Sequence, residues 1–142
     1  MKILILCTGN SARSQMAQGF LQSFYPNLEV RSAGTEPASR VNPKAVEAMK
    51  EVGINISDHT PTLVDQYLDD QWDYVITVCD HANETCPTFL GQVRQRLHMG
   101  FEDPAGATGT EDEILDKFRE VRDQIEQEFK QLYETRMQQA SQ

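Results

Sequence analysis

Residues 3–14 read Ile-Leu-Ile-Leu-Cys-Thr-Gly-Asn-Ser-Ala-Arg-Ser, or ILILCTGNSARS, and they decide how the chain begins to fold. Ile3 to Leu6 is an unbroken apolar run, the pattern of a parallel strand buried on both faces. Beyond the stretch, Met16, Ala17, Phe20, Leu21 and Phe24 recur at helical spacing. Cys7 to Ser14 therefore forms a loop joining the carboxyl end of a strand to the start of a helix.

Such a loop aims successive backbone N–H groups at one point beside the positive end of a helix, and so binds a tetrahedral oxyanion. Thr8, Gly9, Asn10, Ser11, Ala12, Arg13 and Ser14 are the candidate binding residues, with Arg13 able to clamp two oxygens at once. The same field stabilises a thiolate. A free cysteine, with pKa about 8.5, falls to roughly 3.5–7.5 at helix N-termini beside cations, so Cys7 should be a nucleophile at neutral pH. Gly9 is expected to take the positive φ where the loop folds back, Asn10 to brace the loop, and the Ser14 hydroxyl to donate to the Cys7 sulfur. A small buried thiol that merely ends a strand is the usual lot of a free cysteine; the order strand, loop, arginine, helix speaks against it here.

The 142 residues suit one domain, residues 1–142, since a chain of this size buries near 70% of its unfolded surface. A net charge of −9 disfavours a nucleic-acid partner and repels anions at long range, so a bound oxyanion must rely on local donors such as Arg13. Only four aliphatic residues lie between Lys2 and Cys7, and no apolar run approaches the ~18 residues of a membrane span. No membrane partner and a cytoplasmic location are expected. Three cysteines, an odd number where thiols are kept reduced, point to catalytic or redox use rather than a disulfide framework.

Downstream, Leu28, Val30 and Ser32 alternate with Glu29 and Arg31 in a short strand ending at Ala33-Gly34. Asn42 caps a helix with Pro43 at its first position, an apolar face of Ala45, Val46, Met49 and Val52, and Gly53 as its stop. Thr60-Pro61 repeats the capping pattern before Leu63, Val64, Tyr67 and Leu68, predicting a third, shorter helix. Tyr74 to Val78 reads as a third strand and Arg96 to Met99 as a less apolar edge strand. Thr110 with Glu113 is a capping box, and Ile114, Phe118, Val121, Ile125, Phe129 and Leu132 carry a long helix whose tail, Arg136 to Gln142, should fray. Strands alternate with helices, which predicts an α/β three-layer sandwich: a four-stranded parallel sheet with helices on both faces. A flavodoxin-like order 2-1-3-4 would place Cys7 and Cys79 together outside the carboxyl ends of strands one and three.

Cys79 and Cys86 are open to three readings: inert thiols, a redox pair, or zinc ligands with His81 and Cys7. The spacing is not that of a zinc knuckle, and a metal on Cys7 would block the oxyanion cradle. Redox use is favoured, and no metal or cofactor is expected. Were residues 79–86 helical, the two Cα atoms would stand about 10.5 Å apart, whereas a disulfide needs roughly 4.4–6.8 Å; bridging them would require unwinding. Asp103-Pro104 offers a carboxylate in the segment after the fourth strand. Alone it reads as turn chemistry, but facing a bound anion it becomes a candidate general acid. His59, His81 and His98 share no pattern and read as structural or surface residues.

With these residues in hand, the chain resembles the thioredoxin-coupled arsenate reductases built on the low-molecular-weight protein tyrosine phosphatase fold. The resemblance rests on CTGNSARS at 7–14, SAGTEP at 32–37, VNPKAVEAMKEVGI at 41–54, the Cys79 and Cys86 pair, and FEDPAG at 101–106. It implies that Cys7 attacks the arsenic of arsenate, with phosphate or sulfate as competing oxyanions. Asp103 would protonate the departing hydroxide, the loop with Arg13 would hold the remaining oxygens, and Ser14 would support the thiolate. Cys79 would then take the Cys7 sulfur, releasing arsenite, and Cys86 would take Cys79, leaving a disulfide for thioredoxin to reduce. The expected protein is a monomeric enzyme of arsenic detoxification.

Arsenate to arsenite needs two electrons, which two thiols closing to one disulfide supply; ester hydrolysis needs none. The alternative, a phosphatase with a regulatory disulfide, leaves Cys79 and Cys86 without work in the chemistry. Phosphatases of this fold commonly carry an aromatic pair after Asp-Pro, where this chain has Ala105 and Gly106. A non-catalytic oxyanion or redox sensor is a third class. Some members carry an extra cysteine where Ala12 stands, and potassium-binding members carry acidic residues where Gln18 and Thr62 stand, so no potassium site is expected.

Overall fold

The apolar run at the head of the chain becomes the middle of the sheet. The computed structural model describes residues 1–85 and 87–137; the Cys86 expectation lies outside the described residues, as does the tail beyond Met137. Four strands, β1 (Lys2–Cys7), β2 (Glu29–Gly34), β3 (Trp72–Thr77) and β4 (Val93–His98), alternate with four helices, α1 (Arg13–Phe24), α2 (Pro43–Glu51), α3 (Asp80–Thr85) and α4 (Glu111–Leu132). All strand pairs are parallel and the order is β2-β1-β3-β4. The chain order reverses between β1 and β3, where an open α/β sheet leaves its binding crevice.

From Ile3 to Leu6 β1 is apolar without a break, and both of its faces are covered. Ile3 and Ile5 join Met16, Phe20, Met49, Phe118, Val121, Ile125 and Phe129 in the larger core, under α1, α2 and α4. Leu4 and Leu6 join Val64, Trp72, Val75 and Phe89 on the other face, which the 3₁₀ turn Val64–Tyr67 and Phe89 of the loop before β4 cover among the described residues. β4 lies at the edge, with Arg94, Gln95 and Arg96 exposed. Glu51 of α2 accepts from both Arg119 and Arg122, fastening α2 to α4.

Both predicted caps of α2 and α4 are present: Asn42 Oδ1 accepts from the Lys44 N–H, and Thr110 and Glu113 exchange both bonds of a capping box. Three expectations are corrected. The helix after Thr60-Pro61 does not form; Thr62 O accepts from the Gly34 N–H at 2.8 Å and Leu63 pairs beside Gly34, so the chain stays extended along β2 and only the 3₁₀ turn winds. Val52 is not part of the buried face of α2, being 39% exposed just beyond its last turn. The tail does not fray at Arg136, because Tyr133–Met137 continues as a π-helical turn that stacks Tyr133 on Tyr25 and buries Met137. No helix among the described residues is long and apolar enough to cross a membrane.

Candidate active site

Cys7 is the last residue of β1, and Cys79 follows β3 by two positions, so the two thiols sit outside the carboxyl ends of neighbouring strands. Both are buried and free. Between Cys7 and α1 the chain makes a loop whose carbonyls are occupied from outside. Thr35, Glu36, Ala38 and Asn42 donate their N–H groups to the carbonyls of Cys7, Thr8, Gly9 and Ser11, at 3.3, 2.9, 2.8 and 2.8 Å. A trans peptide holds its C=O and the following N–H antiparallel. The N–H groups of Thr8, Gly9, Asn10 and Ala12 are therefore turned the opposite way, as an anion-binding nest requires. Asn10 N–H points at the Cys7 sulfur, 3.2 Å away.

The positive φ of this loop belongs to Asn10, at 50°, and not to Gly9 as the sequence suggested. Asparagine tolerates that conformation when its short side chain bonds locally, and here every polar atom of it is used. Oδ1 accepts from the Thr62 N–H (2.9 Å) and Gln15 Nε2 (3.2 Å); Nδ2 donates to Ser14 Oγ (2.7 Å) and Ser32 Oγ (3.0 Å). The Thr62 bond fixes which end of the amide is oxygen, because a backbone N–H can only donate. Ser14 Oγ thus receives a proton from Asn10 and directs its own toward Cys7 Sγ, 3.0 Å away. Asn10, Ser14 and Gln15 are all buried at 1% exposure or less.

Sequence reasoning missed the supports of this loop. Gln15 Nε2 also donates to Asn10 O (3.1 Å), and its Oε1 takes the Nδ1 proton of His59 (2.8 Å). Burial, opposed by the charge of Asp58, holds His59 below the ordinary imidazole range. Ser32 accepts from Asn10 and donates to Gln18 Oε1. Gly34 is required for a different reason: a Cβ there would lie 2.4 Å from Thr8 O and 3.1 Å from Asn10 N. A polar side chain on the inward side of an amphipathic helix or alternating strand was the available signal.

Arg13 opens α1 and reaches across the crevice, Nη1 donating to Phe101 O at 3.0 Å and Nη2 standing 3.7 Å from Asp103 Oδ2. Asp103 caps the 3₁₀ turn Pro104–Gly106, its Oδ1 accepting from the Ala105 N–H at 3.0 Å, so the turn reading and the site reading of this residue describe one geometry. Its side chain is 54% exposed, at the rim, while Arg13 is 14% exposed. Cys79 Sγ accepts from the Ala82 N–H at 3.4 Å, capping α3, and lies 3.3 Å from Thr8 Oγ1. The structure therefore gathers Cys7, Thr8, Asn10, Arg13, Ser14, Cys79 and Asp103 at one end of the sheet. His59, His81 and His98 stay apart from one another, on Gln15, Glu36 and Asp80 respectively. Among the described residues, no three His, Cys, Asp or Glu side chains converge as metal ligands would.

The profile of the low molecular weight phosphotyrosine protein phosphatases matches residues 2–142. Over 134 residues the chain is 48% identical to the arsenate reductase of Halalkalibacterium halodurans, covering 94% of this chain and 95% of that one. Its fold superposes on a solved arsenate reductase in the phosphate binding state with a TM-score of 0.77 and 34% identity, covering 92% and 95% of the two chains. It also superposes on a thioredoxin-dependent arsenate reductase of Corynebacterium glutamicum with a TM-score of 0.70 and 29% identity, over 99% of this chain and 62% of that one. A family match spanning the sheet, the loop and the long last helix, with a relative 48% identical along nearly its whole length, means that this chain belongs to the low molecular weight phosphotyrosine protein phosphatase family.

Proposed function

We propose that the protein reduces arsenate to arsenite through a relay of its three cysteines, drawing electrons from thioredoxin. The Cys7 thiolate attacks arsenic within the loop of residues 8–14, Arg13 and the loop N–H groups hold the remaining oxygens, and Asp103 gives a proton to the departing hydroxide. Ser14 and the Asn10 N–H supply donors to the Cys7 sulfur before attack. Cys79 then attacks the Cys7 sulfur. The electron pair of the sulfur–arsenic bond stays on arsenic, which leaves as arsenite, and a Cys7–Cys79 disulfide remains. Cys86 attacks Cys79, Cys7 departs as thiolate, and thioredoxin reduces the Cys79–Cys86 disulfide.

The observation that supports this reading best is the second thiol. Cys79 stands beside the cradle, in contact with the residue that follows Cys7, a position hydrolysis has no use for. Relatives along the whole chain that are arsenate reductases, and a thioredoxin-dependent one among the similar structures, point the same way. All groups named come from one domain, residues 1–142, so a monomer suffices, and a thioredoxin-driven relay belongs in the reducing cytoplasm.

The test is arsenite production by wild type, Cys7→Ser, Cys79→Ser and Cys86→Ser with thioredoxin, thioredoxin reductase and NADPH. Wild type should turn over, Cys7→Ser should release no arsenite, and Cys86→Ser should release about one arsenite per enzyme and stop. A wild type that consumes no NADPH with arsenate, while both Cys79→Ser and Cys86→Ser keep full activity on a phosphate ester, would establish a phosphatase instead.

A further inference from the structure

Asp80 opens α3 directly after Cys79, and its carboxylate is held by His98, the last residue of β4. His98 Nε2 stands 2.9 Å from Asp80 Oδ1, and His98 Nδ1 stands 2.8 Å from Oγ1 of Thr77, the last residue of β3. One imidazole thus ties together the ends of two strands and the start of the helix that follows the second thiol. A carboxylate only accepts, so Nε2 carries a proton and donates to Asp80. The Thr77 hydroxyl adapts by rotation, giving to Nδ1 of a neutral ring or receiving from a charged one. Gly100 leaves room for the pair: a Cβ there would lie 3.3 Å from His98 Nε2 and 3.4 Å from Asp80 Oδ1.

We propose that the Asp80–His98 hydrogen bond is a latch that keeps α3 wound and so sets the rate at which Cys79 is handed from Cys7 to Cys86. The proposal rests on the relay described above. α3 has six residues, too few to persist without anchors. One anchor is the Cys79 sulfur, which accepts from the Ala82 N–H. The first thiol transfer turns that sulfur into a disulfide with Cys7, a poorer acceptor, and Asp80–His98 is then the shortest side-chain bond described at the helix start, beside the longer His81–Glu36 contact at 3.9 Å and the buried Ala82.

In the second transfer the Cys86 thiolate attacks Cys79, the Cys7–Cys79 bond breaks, and Cys7 leaves as thiolate with no net change of oxidation state. The six wound residues of α3 span roughly 9 Å along the helix axis, more than the roughly 4.4–6.8 Å between Cα atoms that a disulfide needs, so under the proposal α3 opens before Cys79 and Cys86 join. The Asp80 side chain is 87% exposed and that of His98 is 32% exposed. A bond so placed is weak enough to break in every cycle. Asp80 and His98 are positioning residues that touch neither substrate nor reacting sulfur.

The experiment compares wild type, Asp80→Ala and Asp80→Asn in two single-turnover measurements, arsenite release and closure of the Cys79–Cys86 disulfide, the latter trapped by acid quench and thiol alkylation. Amide exchange over residues 80–84 of the reduced protein is followed alongside. Asp80→Ala should close the disulfide about three- to fivefold faster and lose exchange protection by the same factor, with arsenite release within about twofold of wild type. Asp80→Asn keeps an acceptor for His98 Nε2 and should restore most of the wild-type closure rate. Closure unchanged in Asp80→Ala, or both steps altered equally, overturns the latch while the relay stands. A wild type that never forms the Cys79–Cys86 disulfide overturns relay and latch together.

Discussion

The hydroxyl of Thr8 lies 3.3 Å from the sulfur of Cys79, so the residue next to the candidate nucleophile touches the thiol proposed to resolve it. The contact crosses from the end of β1 to the end of β3, two strands paired along Ile3–Leu6 and Tyr74–Thr77. Parallel pairing alone brings the two cysteines to the same edge; the Thr8 hydroxyl and the Ala82 N–H hold the second sulfur there.

Thr8→Ala should therefore leave attack on arsenate intact and slow release of arsenite by about 2- to 10-fold, the worth of one hydrogen bond. Rapid-quench measurement of arsenite in a single turnover, set against loss of the free Cys7 thiol, separates the two steps. Equal slowing of both would show that Thr8 acts on the loop rather than on Cys79.

Asn10 combines a left-handed backbone with four side-chain hydrogen bonds in a fully buried place. Asn10→Ala should lower stability by about 2–4 kcal/mol, since it leaves buried donors and acceptors unpaired, and weaken phosphate binding with it. Asn10→Gly, which accepts the same φ, should cost less. Urea unfolding checks the order; an alanine variant as stable as the glycine one would deny the backbone its share.

Asp103→Asn should cut arsenate turnover by on the order of 10²-fold or more, as expected when a general acid is lost, with little change in KM. Arg13 and the loop donors remain to hold the anion. If the loss fell entirely on KM, the carboxylate would be orienting Arg13, 3.7 Å away, instead of giving a proton.

His59 titrates below the ordinary imidazole value because burial disfavours its charged form, with Asp58 pulling weakly the other way. The unfolded chain takes up this proton at the higher pH, so the stabilisation is complete above about pH 6.5 and is lost as pH falls through the folded value. Wild type should lose urea stability between pH 7.5 and 5.5, and His59→Gln should lose less over the same range. Equal slopes would remove His59 as the source.

Much of this was legible in the sequence wherever a local rule and the global fold agreed. The ILIL run, the Asn42-Pro43 start and the Thr110–Glu113 box each specify their element by short-range chemistry and kept it. Thr60-Pro61 carried an equally good cap and lost, because the Gly34 N–H needed Thr62 O and Leu63 had to run beside β2. The loop shows the same division. Its residue types announced an oxyanion cradle, yet the positive φ went to Asn10 rather than Gly9, since only asparagine could also bond Ser14, Ser32, Gln15 and Thr62.

The sequence by itself determined the parallel α/β architecture and the tight loop that joins β1 to α1, because periodicity, capping and side-chain type act over a few residues. Only the tertiary structure decided that residues 35–42 tie down the loop carbonyls, that Gln15 and His59 buttress Asn10, and that His98 grips the helix start beside Cys79. Those partners lie far apart along the chain, and a hydrogen bond between distant residues leaves no trace in local pattern until the sheet has brought its strand ends together.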